Sequence, residues 1–235
     1  MTQIVMLNNV DHQALRVVTD RHARYGDNVM TCATFPAEFR DVQANYPIVF
    51  RQDGEGSFEP LVLLGFQEGE NLFLGPQGWD ANYVPLAIER MPFLIGRSGE
   101  QLHVHIDIDH PRVSREQGEA LFLAYGGVTP YLERINSMLL TIHQGLQQVP
   151  SFIAALREHD LLESFVADIE LEDGSQNRLF GFHTINEDKL FQLPGAALES
   201  LNRAGHLLSI YMVLASMSNF RALIDRKQRA VNAHG

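Results

Sequence analysis

The chain is poor in several residues that usually announce a function. It has one cysteine, Cys32, in 235 residues. No intrachain disulfide can therefore form, and no Cys-based zinc or iron–sulfur site is available. Cysteine this sparse fits a reducing compartment. Basic residues are also scarce: 18 Lys and Arg stand against 29 Asp and Glu, for a net charge of −11. Nucleic acids and anionic lipid surfaces both select clustered basic patches, so neither is an expected partner. The N-terminus lacks the basic stretch and long apolar run of a signal peptide. The most apolar run, from Leu207 to Met217, contains Ser209, Tyr211 and Ser216 and is about half the length of a bilayer span. There is no Gly-x-Ser-x-Gly elbow, Walker loop, dinucleotide fingerprint or His-Glu-x-x-His, which lowers the weight of a catalytic role. These absences lead to the expectation of a soluble, cytoplasmic protein with no membrane span and no nucleic-acid partner.

What is present is ordinary globular material. Hydrophobic residues make up 45% and charged residues 20%, enough for a sizeable core in one large domain or two small ones. The first thirty residues read as polar and irregular. Thr34 and Pro36 suggest a helix start, with Phe35, Phe39, Val42 and Tyr46 at helical spacing. Strands are expected at 48–50, 61–66 and 71–74, and the Gly75 to Asp80 stretch as a loop. A short helix is expected over 83–91, then a hairpin around Arg97-Ser98-Gly99-Glu100. Ser114-x-x-Gln117 has the form of a capping box, and Gly126-Gly127 of a linker. Beyond it, Thr129 and Pro130 open a helix with Ile135, Leu139, Ile142 and Leu146 in a stripe. A second helix runs to about 160. Strands over 165–171 and 178–184 flank the turn Glu172-Asp173-Gly174, and helices follow to 226. Leu64-Gly65-Phe66 is echoed by Phe180-Gly181-Phe182, which suggests two related β-hairpin-plus-helix halves, 30–125 and 129–228.

The segment 102–109 alternates strictly. On a strand this sets His103, His105, Asp107 and Asp109 on one face and Val104, Ile106 and Ile108 on the other. His-x-His on one strand face is a metal-binding geometry. His105-x-Asp107 is also the first part of a two-His-one-carboxylate iron site, whose third ligand would come from His143, His159, His183 or His206. The same pattern also describes an acid/base pair or the solvated side of an amphipathic strand, and ten histidines in the chain make chance pairs common. Asp109-His110-Pro111-Arg112 marks a strand end, where an Asp either forms a turn or binds a polar ligand. Trp79 is either a stacking residue or a core cover. Cys32 has no base partner implied by spacing and reads as a packing residue.

Tyr83-Val84-Pro85, Arg90, Pro92-Phe93, Ile106-Asp107-Ile108-Asp109-His110-Pro111-Arg112 and Gly118-Glu119-x-Leu121-Phe122 together resemble the SapC family. Gly181-Phe182, Leu190, Leu193-Pro194, Gly205-x-Leu207-x-x-Ile210-Tyr211, Ser216 and Asn219 extend the likeness, which runs from about Phe35 to Arg226. The resemblance implies a bacterial protein, in a family named for a surface layer, whose members occur beside TonB-dependent receptors, flavin-dependent tryptophan halogenases and cupin-like or hydroxylase proteins. It implies an accessory role in envelope or nutrient-uptake systems or in modifying a small molecule or peptide. His103, His105 and His110 depart from the family pattern, while Asp107, Pro111 and Arg112 match it.

The resulting expectation is a single SapC-like domain over 1–235 of the α+β class, with an antiparallel β-sheet core covered by C-terminal helices. The leading functional reading is a non-enzymatic binding or accessory protein without a cofactor. Its partner would be a small molecule, a peptide or a partner enzyme, held by Trp79, Tyr83, Arg90, Asp107 and Arg112. A stripe of Leu207, Ile210, Leu214 and Met217 is core or a homodimer surface. The alternatives are an iron or zinc enzyme using His103, His105 and Asp107, and a surface-layer component.

Overall fold

The computed structural model describes residues 2–99 and 101–233. Three short strands come first: β1 (Ile4–Met6), β2 (Arg16–Val17) and β3 (Thr31–Ala33). Helix α1 (Phe39–Val42) leads into the hairpin β4 (Ile48–Gln52) and β5 (Phe58–Leu63), then the small hairpin β6 (Leu74–Gly75) and β7 (Gly78–Trp79). Helix α2 (Leu86–Glu89) precedes the hairpin β8 (Phe93–Ser98) and β9 (Gln101–Asp107), followed by β10 (Val113–Ser114) and β11 (Glu119–Ala120). The second half holds α3 (Pro130–Leu146), α4 (Val149–Glu158), the hairpin β12 (Leu162–Glu170) and β13 (Gln176–Ile185), and α5 (Glu187–Phe191). It ends with α6 (Gly195–Arg203), α7 (His206–Ser216) and α8 (Asn219–Asn232). The described pairings are antiparallel, and the fold is α+β.

Two sheets carry two cores. The five-stranded sheet runs β12-β13-β4-β5-β3. Its inner residues, among them Ile48, Phe50, Leu63 and Phe182, pack with Phe39, Phe152 and Val213 from the helices. The three-stranded sheet runs β1-β9-β8, and its Phe93 and Ile106 pack on Leu132, Ile135 and Leu139 of α3. Burying each such side chain contributes about 1.5–3 kcal/mol. Because β13 pairs with β4 through Phe182↔Arg51 and His183↔Phe50, strands from both sides of Gly126-Gly127 share one sheet. The two glycines form a tight turn with φ of +88° each, closed by Gly126 N–H to the Leu123 carbonyl and Leu123 N–H to the Gly127 carbonyl.

Several local expectations are corrected. The helix expected from Phe35 to Tyr46 shrinks to Phe39–Val42. Thr34 does not cap it: its backbone N–H continues the sheet to Pro60, and its hydroxyl donates to Glu38 at 2.7 Å. The helix expected over 83–91 is only Leu86–Glu89. The loop expected around Trp79 is the β6–β7 hairpin. Ser114 Oγ accepts from the Glu116 and Gln117 amides as a cap would, but the chain turns at Gly118, φ +96°, into β11 instead of a helix. Gly181 sits at φ +81° within β13, opposite a bulge between Phe165 and Ala167, whereas Gly65 follows β5 with its amide on the Met30 carbonyl, so the two echoed glycines do different work. The hairpin turn expected at Arg97–Glu100 reaches Glu100, outside the described residues.

The stretch His206–Asn232 holds an 18-residue window long and apolar enough to cross a membrane, with a mean hydropathy of 1.5. It is folded as two helices tied to the first half. Ser216 Oγ accepts from the Ile48 amide at 2.9 Å, and Asn219 donates to the Gln43 carbonyl at 2.8 Å. Ile210 and Val213 lie inward, while Leu208 and Tyr211 are exposed.

Candidate functional site

Strand β9 is central in its sheet, and the alternation read from the sequence holds there. Ile106 is buried and Val104 packs on the α3 core. By register, His103, His105 and Asp107 share the opposite face with Ile4 and Met6 of β1 and with Leu94 and Gly96 of β8. The His105 ring covers Gly96, where any Cβ would overlap it, and its Nδ1 lies 3.2 Å from the His103 carbonyl. Asp107 Oδ1 accepts from the Gln3 amide at 3.1 Å and the Asp109 amide at 3.2 Å. It thus pins the N-terminal strand and shapes the turn after β9. His183 meets Phe58 edge-on, and His206 lies against Phe152. Among the described residues, no group of three His, Cys, Asp or Glu is gathered as a metal site.

Trp79 and Tyr83 belong to a hydrogen-bond chain at the margin of the larger core. Trp79 Nε1 donates to Tyr46 Oη at 2.7 Å, and Tyr46 donates to the Tyr83 carbonyl. Tyr83 Oη donates to Glu38 Oε1 at 3.0 Å, which also accepts the Leu86 amide at 2.7 Å. Glu38 therefore holds the start of α2, and burial pushes its carboxyl up from the usual range. Burial, then the nearby Glu38, also raises the Cys32 thiol well above its ordinary value, which makes it a poor nucleophile. Arg90 donates to the Phe93 carbonyl at 2.6 Å and lines an apolar cleft of about 210 Å³ with Phe35, Leu94 and Leu146.

Arg112 is placed differently. The turn after β9 carries it against the segment after β2, where it is 1% exposed. Its Nη1 donates to the Val18 and Asp20 carbonyls at 2.8 and 2.7 Å. Its Nη2 donates to both oxygens of the buried Asp27 at 2.7 and 2.5 Å. Asp27 also accepts the His22 amide at 2.8 Å and lies 3.6 Å from Arg21. Among the described residues, Arg112 Nε is buried with no hydrogen-bond partner. An unpaired donor on a buried cation costs about 1–3 kcal/mol or more, which sets this edge of the guanidinium apart from its four satisfied contacts.

Arg112 lines a cavity of about 360 Å³ together with Arg21, Arg134, Glu89, Glu119 and Tyr131. Val84, Met91, Ile135 and Met138 supply its apolar wall. Tyr131, Arg134, Ile135 and Met138 all come from one face of α3, at helical spacing. Arg21 donates to the Ile88 and Glu89 carbonyls at 3.3 and 3.5 Å, and burial, then the neighbouring Arg112, pull its guanidinium down from the usual value. Burial pushes the Tyr131 phenol up to about 12, so it is neutral at physiological pH. The Arg134 guanidinium lies 5.8 Å from the Tyr131 ring centroid. Among the described residues, Arg134, Glu89 and Glu119 enter no ion pair.

Of the five expected ligand-contacting residues, Arg112 therefore lines this cavity and Arg90 the apolar cleft. Trp79 and Tyr83 join the Glu38 chain, and Asp107 holds its turn. Sequence reasoning missed Arg21, Asp27, Glu89, Glu119, Tyr131 and Arg134. The one signal available for them was Tyr131-x-x-Arg134 on the same helix face as Ile135 and Met138.

Neither the curated proteins nor the solved structures include a match to this chain. The SapC family model matches residues 7–223, a span that takes in the Asp27–Arg112 pair and every cavity residue named above. The chain belongs to the SapC family.

Proposed function

We propose that this protein is a non-enzymatic binding module, acting as an accessory to a partner enzyme or uptake system in the cytoplasm, and that the arginine-lined cavity is its ligand site. The observation that carries the reading is Arg112: 1% exposed, locked by four contacts, lining the cavity and retaining one buried N–H without a partner among the described residues. A buried guanidinium held this rigidly binds without reorganising, which favours affinity. The cavity size is that of a small-molecule site, apolar on one side with a few convergent polar groups. The accessory role and its partner enzyme rest on what the family likeness implies.

The test is ligand-observed NMR of a mixed library of small metabolites. Binding should be seen with the native protein and lost in Met138→Trp, which fills the cavity from a partly exposed helix position. A library that yields no ligand, or ligands that bind the Met138→Trp variant equally well, would refute the assignment.

A further inference from the structure

Three guanidinium groups at this cavity, Arg21, Arg112 and Arg134, are matched by three carboxylates: Asp27 behind Arg112, and Glu89 and Glu119 on the lining. The site is thus neutral overall but polarised. A phosphate or dicarboxylate site would carry excess positive charge, and a purely apolar ligand would leave these ions desolvated and unpaired. Among the described residues, two carboxylates and one arginine of the lining enter no ion pair, which leaves both kinds of partner on offer around one apolar wall.

We propose that the ligand is a small zwitterion with an apolar body: a free α-amino acid with an aliphatic, thioether or aromatic side chain. This rests on the reading of the cavity as a ligand site. The ligand carboxylate accepts from Arg134 and lies toward the charge of the Arg112 guanidinium. Its ammonium donates to Glu89 and Glu119, the only lining carboxylates without a cation among the described residues. The side chain lies on Val84, Met91, Ile135 and Met138. Tyr131, neutral and on the same face of α3 as Arg134, offers a hydroxyl to either end of the ligand.

The experiment is calorimetric titration of the native full chain with L-leucine, L-methionine and L-phenylalanine. Three controls go beside them: L-leucinamide, which lacks the carboxylate; 4-methylpentanoate, which lacks the ammonium; and inorganic phosphate. At least one amino acid should bind, and each truncated analogue of L-leucine should bind roughly 10- to 100-fold more weakly than L-leucine, the loss expected for a charge-assisted hydrogen bond. If L-leucine is not the preferred side chain, the amide and the deaminated acid of the preferred amino acid take the same place. Arg134→Gln and Glu119→Gln lie on exposed positions and leave the fold intact. Arg134→Gln should weaken the amino acid while leaving its amide unchanged, and Glu119→Gln should weaken the amino acid while leaving the deaminated acid unchanged. Phosphate or 4-methylpentanoate binding as well as any amino acid would overturn the zwitterion assignment and leave the cavity as a plain anion site. Silence from all six probes, with other ligands found in the metabolite library, would also overturn it. Silence from the library as well would refute the binding reading itself.

Discussion

Replacing Asp27 by Ala removes the carboxylate that takes both Nη2 contacts from Arg112, at 2.7 and 2.5 Å, and the His22 amide at 2.8 Å. Arg112 keeps its two carbonyl bonds through Nη1, but its charge is left buried without compensation. Breaking a buried pair from one side costs about 3–5 kcal/mol. In a chain of this length each kcal/mol lowers the thermal midpoint by about 2–4 °C, so the expected fall is roughly 6–20 °C. The double variant Asp27→Leu with Arg112→Met removes both members of the pair, leaves only the partly accessible Arg21 without its neighbouring carboxylate, and should lose less than Asp27→Ala. The assay is urea unfolding followed by circular dichroism and the fluorescence of Trp79, with unchanged slopes showing that the native state is otherwise preserved. A loss below about 1 kcal/mol for Asp27→Ala, the size of a surface pair, would refute the reasoning. So would a double variant whose loss equals the sum of the two singles.

Gly96→Ala should cost about 1–3 kcal/mol, because the new methyl meets the His105 ring; the cost should largely vanish in a His105→Ala background, and a persistent cost would show that the ring is not the obstacle. Glu38 has a folded value raised above its ordinary 4.5 by burial, so its favourable contribution is complete below that value and is lost as pH rises through the raised one. Glu38→Gln should flatten the stability profile on the way to neutral pH, and a profile as steep as before would contradict the burial argument. His110 has a folded value lowered from 6.5, first by burial and then by Arg112, and its Nδ1 accepts the Arg112 amide at 3.2 Å. Its contribution is present above 6.5 and lost as pH falls through the lowered value; His110→Asn should remove that acid-side loss in chemical denaturation measured across pH. Purified from iron- and zinc-replete medium, the protein should hold the same metal content before and after replacement of both His103 and His105 by Ala. A stoichiometric metal lost on that replacement would restore the iron or zinc reading.

Features written in neighbouring residues were legible in the sequence. Thr129 accepts from the Leu132 amide ahead of Pro130, as its type and position suggested, and Ile135 and Leu139 turn inward together. The turn at Glu172-Asp173-Gly174 closes the longest hairpin. Features that depend on distant partners were not. Strand β1 is defined by its pairing with β9, where Val5 lies opposite Ile106, and three residues carry no periodicity of their own. Phe35, Phe39, Val42 and Tyr46 do share helical spacing, but Thr34 bonds to β5 and to Glu38, and Glu38 to α2, so the spacing yields one turn of helix and a buried polar chain. The site was legible only at Arg112. Its partner Asp27 lies 85 positions earlier, in a stretch whose polar letters look like ordinary loop. The histidines of β9, the most conspicuous letters in the chain, lie on a partly exposed face, while the turn beyond them delivers the residue that reaches the cavity.

The central claim is that this cavity receives a ligand. The most direct measurement is amide chemical-shift mapping on isotope-labelled protein as the ligand identified from the metabolite library is added. Shifts concentrated at Val18, Arg21, Arg112, Tyr131 and Arg134, saturating together with one dissociation constant, are the predicted result. Shifts centred instead on Phe35, Leu94 and Leu146, or on His103 and His105, would contradict it.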